Sequence, residues 1–554
     1  MASTLPATSA KGDEDPEILA RVAENEGNVS TTPKKSLSFY LSFLSLSICM
    51  LIVSLDVTAL TVALPVVAEE FHGTTIEAFW ASIAALLAVV IAQPIYTSLS
   101  DVLGRKVLLY AGYMFFALGA IVFSTAKNMG TLIAGRALLG WGGGGLQVLS
   151  IIILADMTTL KERPFYLALY GIPLAGGSIC GPIVGAAFAE FATWRWIGWL
   201  CLPIAGFGFL LGFWCLKLRP IDQSFTQQLR HLDWIGMILF AGGCTLFALP
   251  LSWAGALYPW SSWRTIVPFI VGFLMLTLLA FYERNPRTPV FPYRIFSNRT
   301  AASTLIVAFL HGSVLFPGIL YTPLFFQAVH RETPFRSAIS MLPICCSIVG
   351  FSIIGPMLVQ RTRKYRWVLL LGWTLAATGV SLCSLWQVSS PPALSYGLQV
   401  LAGSGIGMVI TSLPLPMQAS VQDANDAGLA VGIMTAIRLF GGVVGLAVSS
   451  TLFNQIFASN IARHVPLPDS LKALEDVREA IGFIPLLRSI DPSLVVLLPI
   501  LETYRKSMVA VFLLMGGLGA LGAFGTLFME ELTLENEEMG RQRFDGSSHD
   551  LGAG

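Results

Sequence analysis

The chain has 554 residues, 55% of them hydrophobic and 12% charged, and 34 basic against 33 acidic side chains leave a formal net charge of +1. A soluble domain carries about 25% charged residues. Half that density over so long a chain leaves too little polar surface for a globule in water, and the near-neutral balance excludes a strongly basic nucleic-acid binder. A membrane protein is what remains.

The first 36 residues are polar and partly acidic (Asp13, Glu14, Asp15, Glu17) and lack the charged-then-apolar pattern of a signal peptide. The expectation is a cytosolic tail, with the first span as insertion signal. A helix crossing the ~30 Å hydrocarbon core needs roughly 20 mostly apolar residues. Such runs occur at 39–64, 79–99, 107–125, 132–154, 165–188, 196–216, 234–253, 266–281, 301–326, 337–358, 367–386, 395–415, 427–453 and 508–528. Fourteen helices follow, grouped six, two and six, with 494–501 as a re-entrant or interfacial piece. The predicted organisation is a tail (1–38), a six-helix bundle (39–217), two additional central helices with linkers (218–299), a second six-helix bundle (300–530) with a long outer loop (454–505), and a second tail (531–554). The fold class is all-α integral membrane. The eight cysteines all fall in apolar runs without metal-ligand spacing, which reads as buried thiols acting as small apolar side chains.

Orientation follows from the short loops. With the first tail inside, inner loops hold Arg105, Lys106, Lys161, Arg163, Lys217, Arg219, Arg230, Arg284, Arg287, Arg294, Arg299, Arg361, Arg363, Lys364 and Arg366. Outer loops hold only Lys127, Arg195, Arg264, Arg331 and Arg336. Both termini are therefore expected in the cytosol. The outer loop includes an amphipathic stretch near 470–481. A weak internal echo relates Asp101–Gly112 to Arg361–Gly372, each a basic turn, an apolar helix start and a terminal glycine.

The loop between the second and third runs reads Thr97-Ser-Leu-Ser-Asp101-Val-Leu-Gly104-Arg105-Lys106. Gly104 permits a tight turn, while Arg105 and Lys106 can meet helix C-termini or a carboxylate. The spacing resembles the signature loop of the major facilitator superfamily, with Thr97 and Val102 replacing its first glycine and first arginine. Three further stretches are similar to motifs of its fourteen-span drug:proton antiporters, of the fungal toxin and multidrug efflux type. They are Leu55-Asp56-Val-Thr58 through Pro65 in the first run, Arg136 to Gly140 in the fourth, and Gly177-Ser-Ile-Cys-Gly181-Pro182-Ile-Val-Gly185 in the fifth. Thr193-Trp194-Arg195-Trp196 and Leu232-Asp233-Trp234-Ile235-Gly236 also resemble that group.

The resemblance implies two six-helix bundles around a central cavity and a conformational latch made of Asp101, Gly104, Arg105, Lys106, Asp156 and Arg163. It also implies a sealed hinge face at Gly177, Gly181, Pro182 and Gly185. Physical chemistry singles out the intramembrane charges independently. A carboxylate in a membrane helix faces a wet cavity, pairs with a cation or takes a proton, so Asp56 is a proton-coupling candidate; a helix-end cap is the alternative. Arg136 and Arg438 join it as candidates. Arg438 lies about eleven residues into its run, roughly 17 Å at 1.5 Å per residue, where snorkelling is hardest. A fixed clamp between helices is the alternative for both. The expected substrate cavity is lined by Gln93, Gln147, His311 and Gln399, with Trp80, Phe316 and Phe326 as apolar walls.

No GxxxxGK[ST], HExxH or GxSxG stretch occurs, so an ion gradient must supply the energy and neither an enzyme nor a cofactor is expected. The expected function is proton-coupled antiport exporting apolar or amphipathic organic compounds, with a small organic substrate, protons and the lipid bilayer as partners and no nucleic acid. A monomer in the plasma membrane is expected, a vacuolar location being the alternative. A permease for basic amino acids or iron chelates, and a non-transporting nutrient sensor, are the alternative functions on the same fold.

Overall fold

The computed structural model describes residues 35–158, 162–216, 232–254, 257–284, 291, 293–296, 298–421, 427–464, 467, 471, 474, 476–491 and 496–532, and of Asp101 and Arg163 the backbone only. Most of the expected tails, Lys161, Lys217, Arg219, Arg230, Arg287 and residues 470, 472, 473 and 475 of the 470–481 stretch lie outside the described residues. Among the described residues, fourteen helices are long and apolar enough to cross a membrane. They are α1 (Leu37–Glu70), α2 (Thr75–Leu103), α3 (Arg105–Ser124), α4 (Met129–Met157), α5 (Arg163–Phe191), α6 (Trp196–Cys215), α7 (Trp234–Trp253), α8 (Trp263–Tyr282), α9 (Arg299–Ala328), α10 (Pro334–Thr362), α11 (Tyr365–Leu382), α12 (Pro392–Ser412), α13 (Ala427–Ile461) and α14 (Leu497–Thr526). A six-residue helix, Pro414–Ala419, extends α12.

Polar residues set the boundaries. Thr74 and Glu77 form a reciprocal capping box at the start of α2, and Asn128, Ser262, Asn298 and Thr333 accept from the first turns of α4, α8, α9 and α10. Gly104, at φ 87°, is the single residue between α2 and α3. Its positive φ folds the chain back on itself, a geometry a side chain would oppose.

The helix pairings repeat. In the first six helices α1 packs on α5 and α6, and α4 on α2 and α3; in the last six α9 packs on α13 and α14, and α12 on α10 and α11. Each pairing recurs eight helices later. The halves then meet through the reciprocal pairs α2 with α13 and α10 with α5. The duplication that the basic loops only hint at is therefore carried by packing. Helices α7 and α8 pair with each other, α7 also touching α2 and α13, while α8 turns Phe273, Leu274, Leu278 and Phe281 outward, as a lipid-facing helix would.

Two boundaries differ from the sequence reading. The first apolar run stops short of Pro65, yet α1 continues through Pro65 to Glu70, because neighbouring helices in a membrane bundle can satisfy the backbone group that proline frees. The last run starts beyond the charges at Glu502, Arg505 and Lys506, yet α14 begins at Leu497 and carries them, with Arg505 Nε 2.8 Å from the Glu502 carboxylate one turn away. With α13 running to Ile461, the connection between the last two helices shrinks from 454–505 to 462–496, and 497–501, the part of the expected 494–501 piece that lies in a described helix, begins α14 rather than forming a separate re-entrant piece.

Candidate functional site

Arg136 of α4 crosses to Asp56 of α1, its Nη1 lying 2.7 Å from each carboxylate oxygen, and its Nε donates to the Ala81 carbonyl of α2 at 3.2 Å. The Phe123 ring of α3 lies 5.9 Å from the guanidinium carbon. Both charged side chains are buried, Asp56 4% and Arg136 2% exposed. A charge this deep is tolerable only with its counter-charge in contact. Glycines make the approach possible, because a Cβ at Gly140 would strike the Ala85 backbone and one at Gly142 the Phe116 backbone. Asp56 precedes the end of α1 at Glu70 by fourteen residues (70 minus 56), so it sits mid-helix and is not a helix-end cap. The sequence singles out the two residues separately; the structure makes them one unit.

The last six helices hold a different arrangement. His311 of α9 is 1% exposed and its Nε2 lies 3.1 Å from the Ile406 carbonyl of α12, while its Nδ1 has no partner. A carbonyl only accepts, so Nε2 carries the proton. One turn along α12, the Ile410 carbonyl accepts from Arg438 Nη1 at 3.5 Å. Arg438 is half-buried and has no carboxylate partner among the described residues. The Arg438 backbone presses on α9, since a Cβ at Gly312 would overlap its carbonyl oxygen. Arg438, expected alongside Asp56 and Arg136 in proton coupling, thus lies on the opposite bundle with no acid within reach to exchange a proton with.

The glycines of α5 face α1. A Cβ at Gly177 would come within 2.7 Å of Ser54 Cβ and 2.8 Å of the Leu51 carbonyl; one at Gly181 would meet the Thr58 hydroxyl, and one at Gly185 the Ala59 backbone. Serine and threonine then stitch the seam, with Ser54 Oγ donating to the Leu174 carbonyl at 2.8 Å and Thr58 Oγ1 lying 3.2 Å from that of Gly177. Pro182 lies within α5, next to Gly181.

At the face bearing both termini, Arg105 Nε and Asp156 Oδ2 are 2.5 Å apart, and Arg105 Nη1 donates to Ser100 Oγ at 3.2 Å. Lys106 Nζ caps α6 through the Phe213 carbonyl at 3.2 Å. The Asp101 and Arg163 side chains lie outside the described residues. The sequence reading did not anticipate Lys35 Nζ, 2.8 Å from Glu162.

Of the expected cavity residues, Gln93 Nε2 donates to Gln147 Oε1 at 3.0 Å, joining α2 to α4. Gln399 is buried and donates to the Ser340 carbonyl at 2.9 Å, leaving its Oε1 without a partner. Phe316 reaches toward Gly442 of α13, beside Leu86 of α2, and so sits where the halves meet. Phe326 is instead packed among Trp386 and His330, with ring centroids 5.6 and 5.4 Å away, and Trp80 is partly buried against the core.

Sequence reading missed what closes the opposite face. Gln327 Nε2 donates to the Val62 carbonyl across the halves at 3.0 Å, and Phe335 N donates to Glu190 at 2.9 Å. The loop after α13 adds more. Thr75 Oγ1 of α2 donates to the Arg478 carbonyl at 2.8 Å and accepts from Ile481 N at 3.2 Å, while Arg331 Nη2 donates to the Arg488 and Ile490 carbonyls at 3.0 and 2.6 Å. Among the described residues, every hydrogen bond between the two halves lies toward this face, away from the termini. A lone glutamine following Phe326 in an apolar run was the signal available for Gln327. The Trp194-Arg195 motif proves to be a clamp, both side chains donating to Glu70 at the end of α1 at 2.6 and 2.7 Å.

The family model described as Major Facilitator Superfamily matches residues 46–446. The MFS-type transporter sphD of Aspergillus fumigatus is 45% identical over 549 residues, covering 98% of this chain and 94% of that protein. Efflux pump FUS6 of Gibberella fujikuroi is 31% identical over 512 residues, 91% of each chain. In fold, the chain is similar to a bacterial homologue of the human lysosomal transporter Spinster in an inward-facing, unoccupied conformation, with TM-score 0.59 and 15% identity over 89% of this chain and 98% of that one. It is also similar to the xylose transporter XylE of E. coli in a partially occluded inward-open conformation, with TM-score 0.53 and 11% identity over 88% and 97%. A duplicated six-helix architecture, intramembrane charges held by glycine-thinned helices, and a sequence matched along most of its length agree: this chain belongs to the Major Facilitator Superfamily and is an integral membrane transporter, not an enzyme.

Proposed function

We propose that the chain is a proton-coupled antiporter that exports apolar or amphipathic organic compounds by alternating access, as a monomer in the plasma membrane with both termini in the cytosol. The observation that carries this reading is the buried Asp56–Arg136 pair, in which the guanidinium is the carboxylate's hydrogen-bond partner. Protonation of Asp56 removes the charge that holds Arg136 to α1 while Arg136 stays bonded to α2 at Ala81. Uptake of a proton thereby loosens one helix contact inside the first bundle, and its release restores it. Relatives named efflux pumps support export as the direction, and basic loops at the termini face support a cytosolic placement of that face. With that placement, the hydrogen bonds between halves fasten the external side, as an exporter loading from the cytosol requires.

The latch at Arg105 and Asp156, the α1–α5 seam and the Gln93–Gln147 pair have roles in this cycle. The first biases the equilibrium between open states, the second keeps protons from leaking along the hinge, and the third presents an amide edge to the cargo. A proton moving down 100 mV releases about 2.3 kcal/mol and one pH unit adds about 1.4 kcal/mol. Together they sustain a gradient of several hundredfold for a neutral solute. Proteoliposomes with an imposed pH gradient, screened against a panel of apolar and amphipathic solutes, test the reading. Solute flux that follows the gradient and loses its pH dependence in Asp56→Asn supports it, and flux indifferent to the gradient refutes it.

A further inference from the structure

We infer that Arg438 is the anchor for a carboxylate or similar anionic group on the transported molecule, so that the cargo class includes amphipathic organic acids. The inference rests on the export reading above and specifies its substrate site.

The two intramembrane arginines differ in one decisive respect. Arg136 is neutralised by Asp56 at 2.7 Å. Arg438 sits about 17 Å along α13 from its start, at 1.5 Å per residue, and its hydrogen bond is a long one of 3.5 Å to a neutral carbonyl, that of Ile410. A carbonyl contributes only partial charge, and this one is at the limit of hydrogen-bond distance, so the guanidinium is left largely uncompensated, as intramembrane charges that mark substrate pathways are. Among the described residues the counter-charge is missing, no carboxylate providing it, and an anionic cargo can supply it.

The surroundings suit an anion rather than a metal or a second cation. His311, bonded to α12 one turn from Ile410, holds its proton on Nε2, so it is neutral and its unpartnered Nδ1 is an acceptor for a hydroxyl or amide N–H of the cargo, leaving Arg438 as the positive group. Among the described residues no cluster of three metal-ligating side chains occurs. Arg438 as a residue is half-buried, whereas Arg136 is only 2% exposed. Phe316 on α9 and Leu86 on α2 converge at Gly442, one helical turn along α13 from Arg438, and offer an apolar wall beside the charge. A planar fork next to an apolar surface fits the carboxylate head and hydrocarbon body of an amphipathic acid.

The test uses the purified full chain and a panel of amphipathic carboxylates, from phenylacetate to dodecanoate, each compared with its uncharged methyl ester. We expect at least one acid to bind tenfold or more tightly than its ester, Arg438→Gln to bring acid and ester to equal affinity, and Arg438→Lys to keep part of the preference. On the unmodified protein, phenylglyoxal modification of Arg438, followed by peptide mass, should be slowed by the acid and not by the ester. This readout stands even if the variants fail to fold. The inference is overturned if no acid outbinds its ester, if Arg438→Gln retains the preference, or if the acid leaves modification unchanged, the last meaning that Arg438 only clamps α13 to α12. The binding assay needs no proton gradient, so gradient-driven export of esters with no acid preference overturns this inference while leaving the export reading intact.

Discussion

Replacing Asp56 by asparagine removes one charge from a buried pair and keeps its size. Unit charges about 4 Å apart attract by about 4 kcal/mol at an effective dielectric of ~20, and a buried charge stripped of its partner costs about 3–5 kcal/mol. The substituted amide would still accept a hydrogen bond from Arg136, and the Ala81 carbonyl remains 3.2 Å from its Nε, so the lower end applies: a loss of about 3 kcal/mol. Removing both charges with Asp56→Asn and Arg136→Gln together leaves no orphan, and the double variant should recover most of that loss, an interaction energy of up to about 3 kcal/mol. Reversible unfolding in mixed micelles titrated with dodecyl sulfate measures all four corners of the cycle. Export by the same proteins in proteoliposomes should separate from stability, because the double variant regains its fold yet has no group to carry the proton. Additive losses would show that the pair is not an energetic unit, and an Asp56→Asn protein exporting with wild-type pH dependence would remove it from the coupling mechanism.

Other expectations follow from contacts elsewhere. Gly185→Ala drives a methyl group into the Ala59 backbone; overpacking of this kind costs about 1–3 kcal/mol, and passive proton leak measured with a pH-sensitive dye inside proteoliposomes should rise severalfold. Asp156→Asn removes the carboxylate charge beside Arg105, at a pair whose side chains are 18% and 15% exposed, and leaves the bond from Arg105 to Ser100. A shift of under about 1 kcal/mol should move the ratio of inward- to outward-open states by no more than about fivefold, read by thiol labelling of cysteines placed on the two faces. Glu332, in the turn before α10, has its carboxyl raised above the ordinary range by burial, opposed by the Ser340 hydroxyl and the positive charges of His330 and Arg336. The folded state therefore holds this proton more tightly than the unfolded one. Its contribution is full in acid and is lost as pH rises from the ordinary value through the raised one. Hydrogen-exchange protection of residues 476–490, taken relative to the intrinsic base-catalysed rate at each pH, should accordingly be higher in mild acid than at neutral pH, and Glu332→Gln should flatten that dependence.

Much of this was legible in the chain, for particular reasons. Apolar run length located all fourteen helices, because nothing but an internally hydrogen-bonded segment survives in hydrocarbon. The ends were harder: Pro65 and the Glu502–Arg505 pair look like helix breakers in sequence and are tolerated in context. Isolated charges in apolar runs marked Asp56, Arg136 and Arg438, since each is too expensive to be incidental. What sequence withheld was pairing. Asp56 and Arg136 stand 80 residues apart and meet, whereas Arg438 carries the same chemistry and meets no acid among the described residues. The Gln93–Gln147 bond and the Gln327 bridge depend likewise on which face of a helix turns toward which neighbour, and helices apolar all round carry no periodic signal to reveal it. Phe326 misled for the same reason, an aromatic in a span looking equally suited to a cavity wall and to packing.

The segment following α13 belongs by connectivity to the second bundle, yet it is hooked to the first through Thr75 and pinned back through Arg331 and through Tyr504, whose hydroxyl donates to the Ala480 carbonyl at 2.5 Å. A rocking motion that parted the bundles on that side could not leave both attachments intact, so a turnover of the proposed kind would include a peeling step at this loop. A nanobody clasping residues 476–490 to the start of α2 would stall the cycle there, with the translocation path left empty.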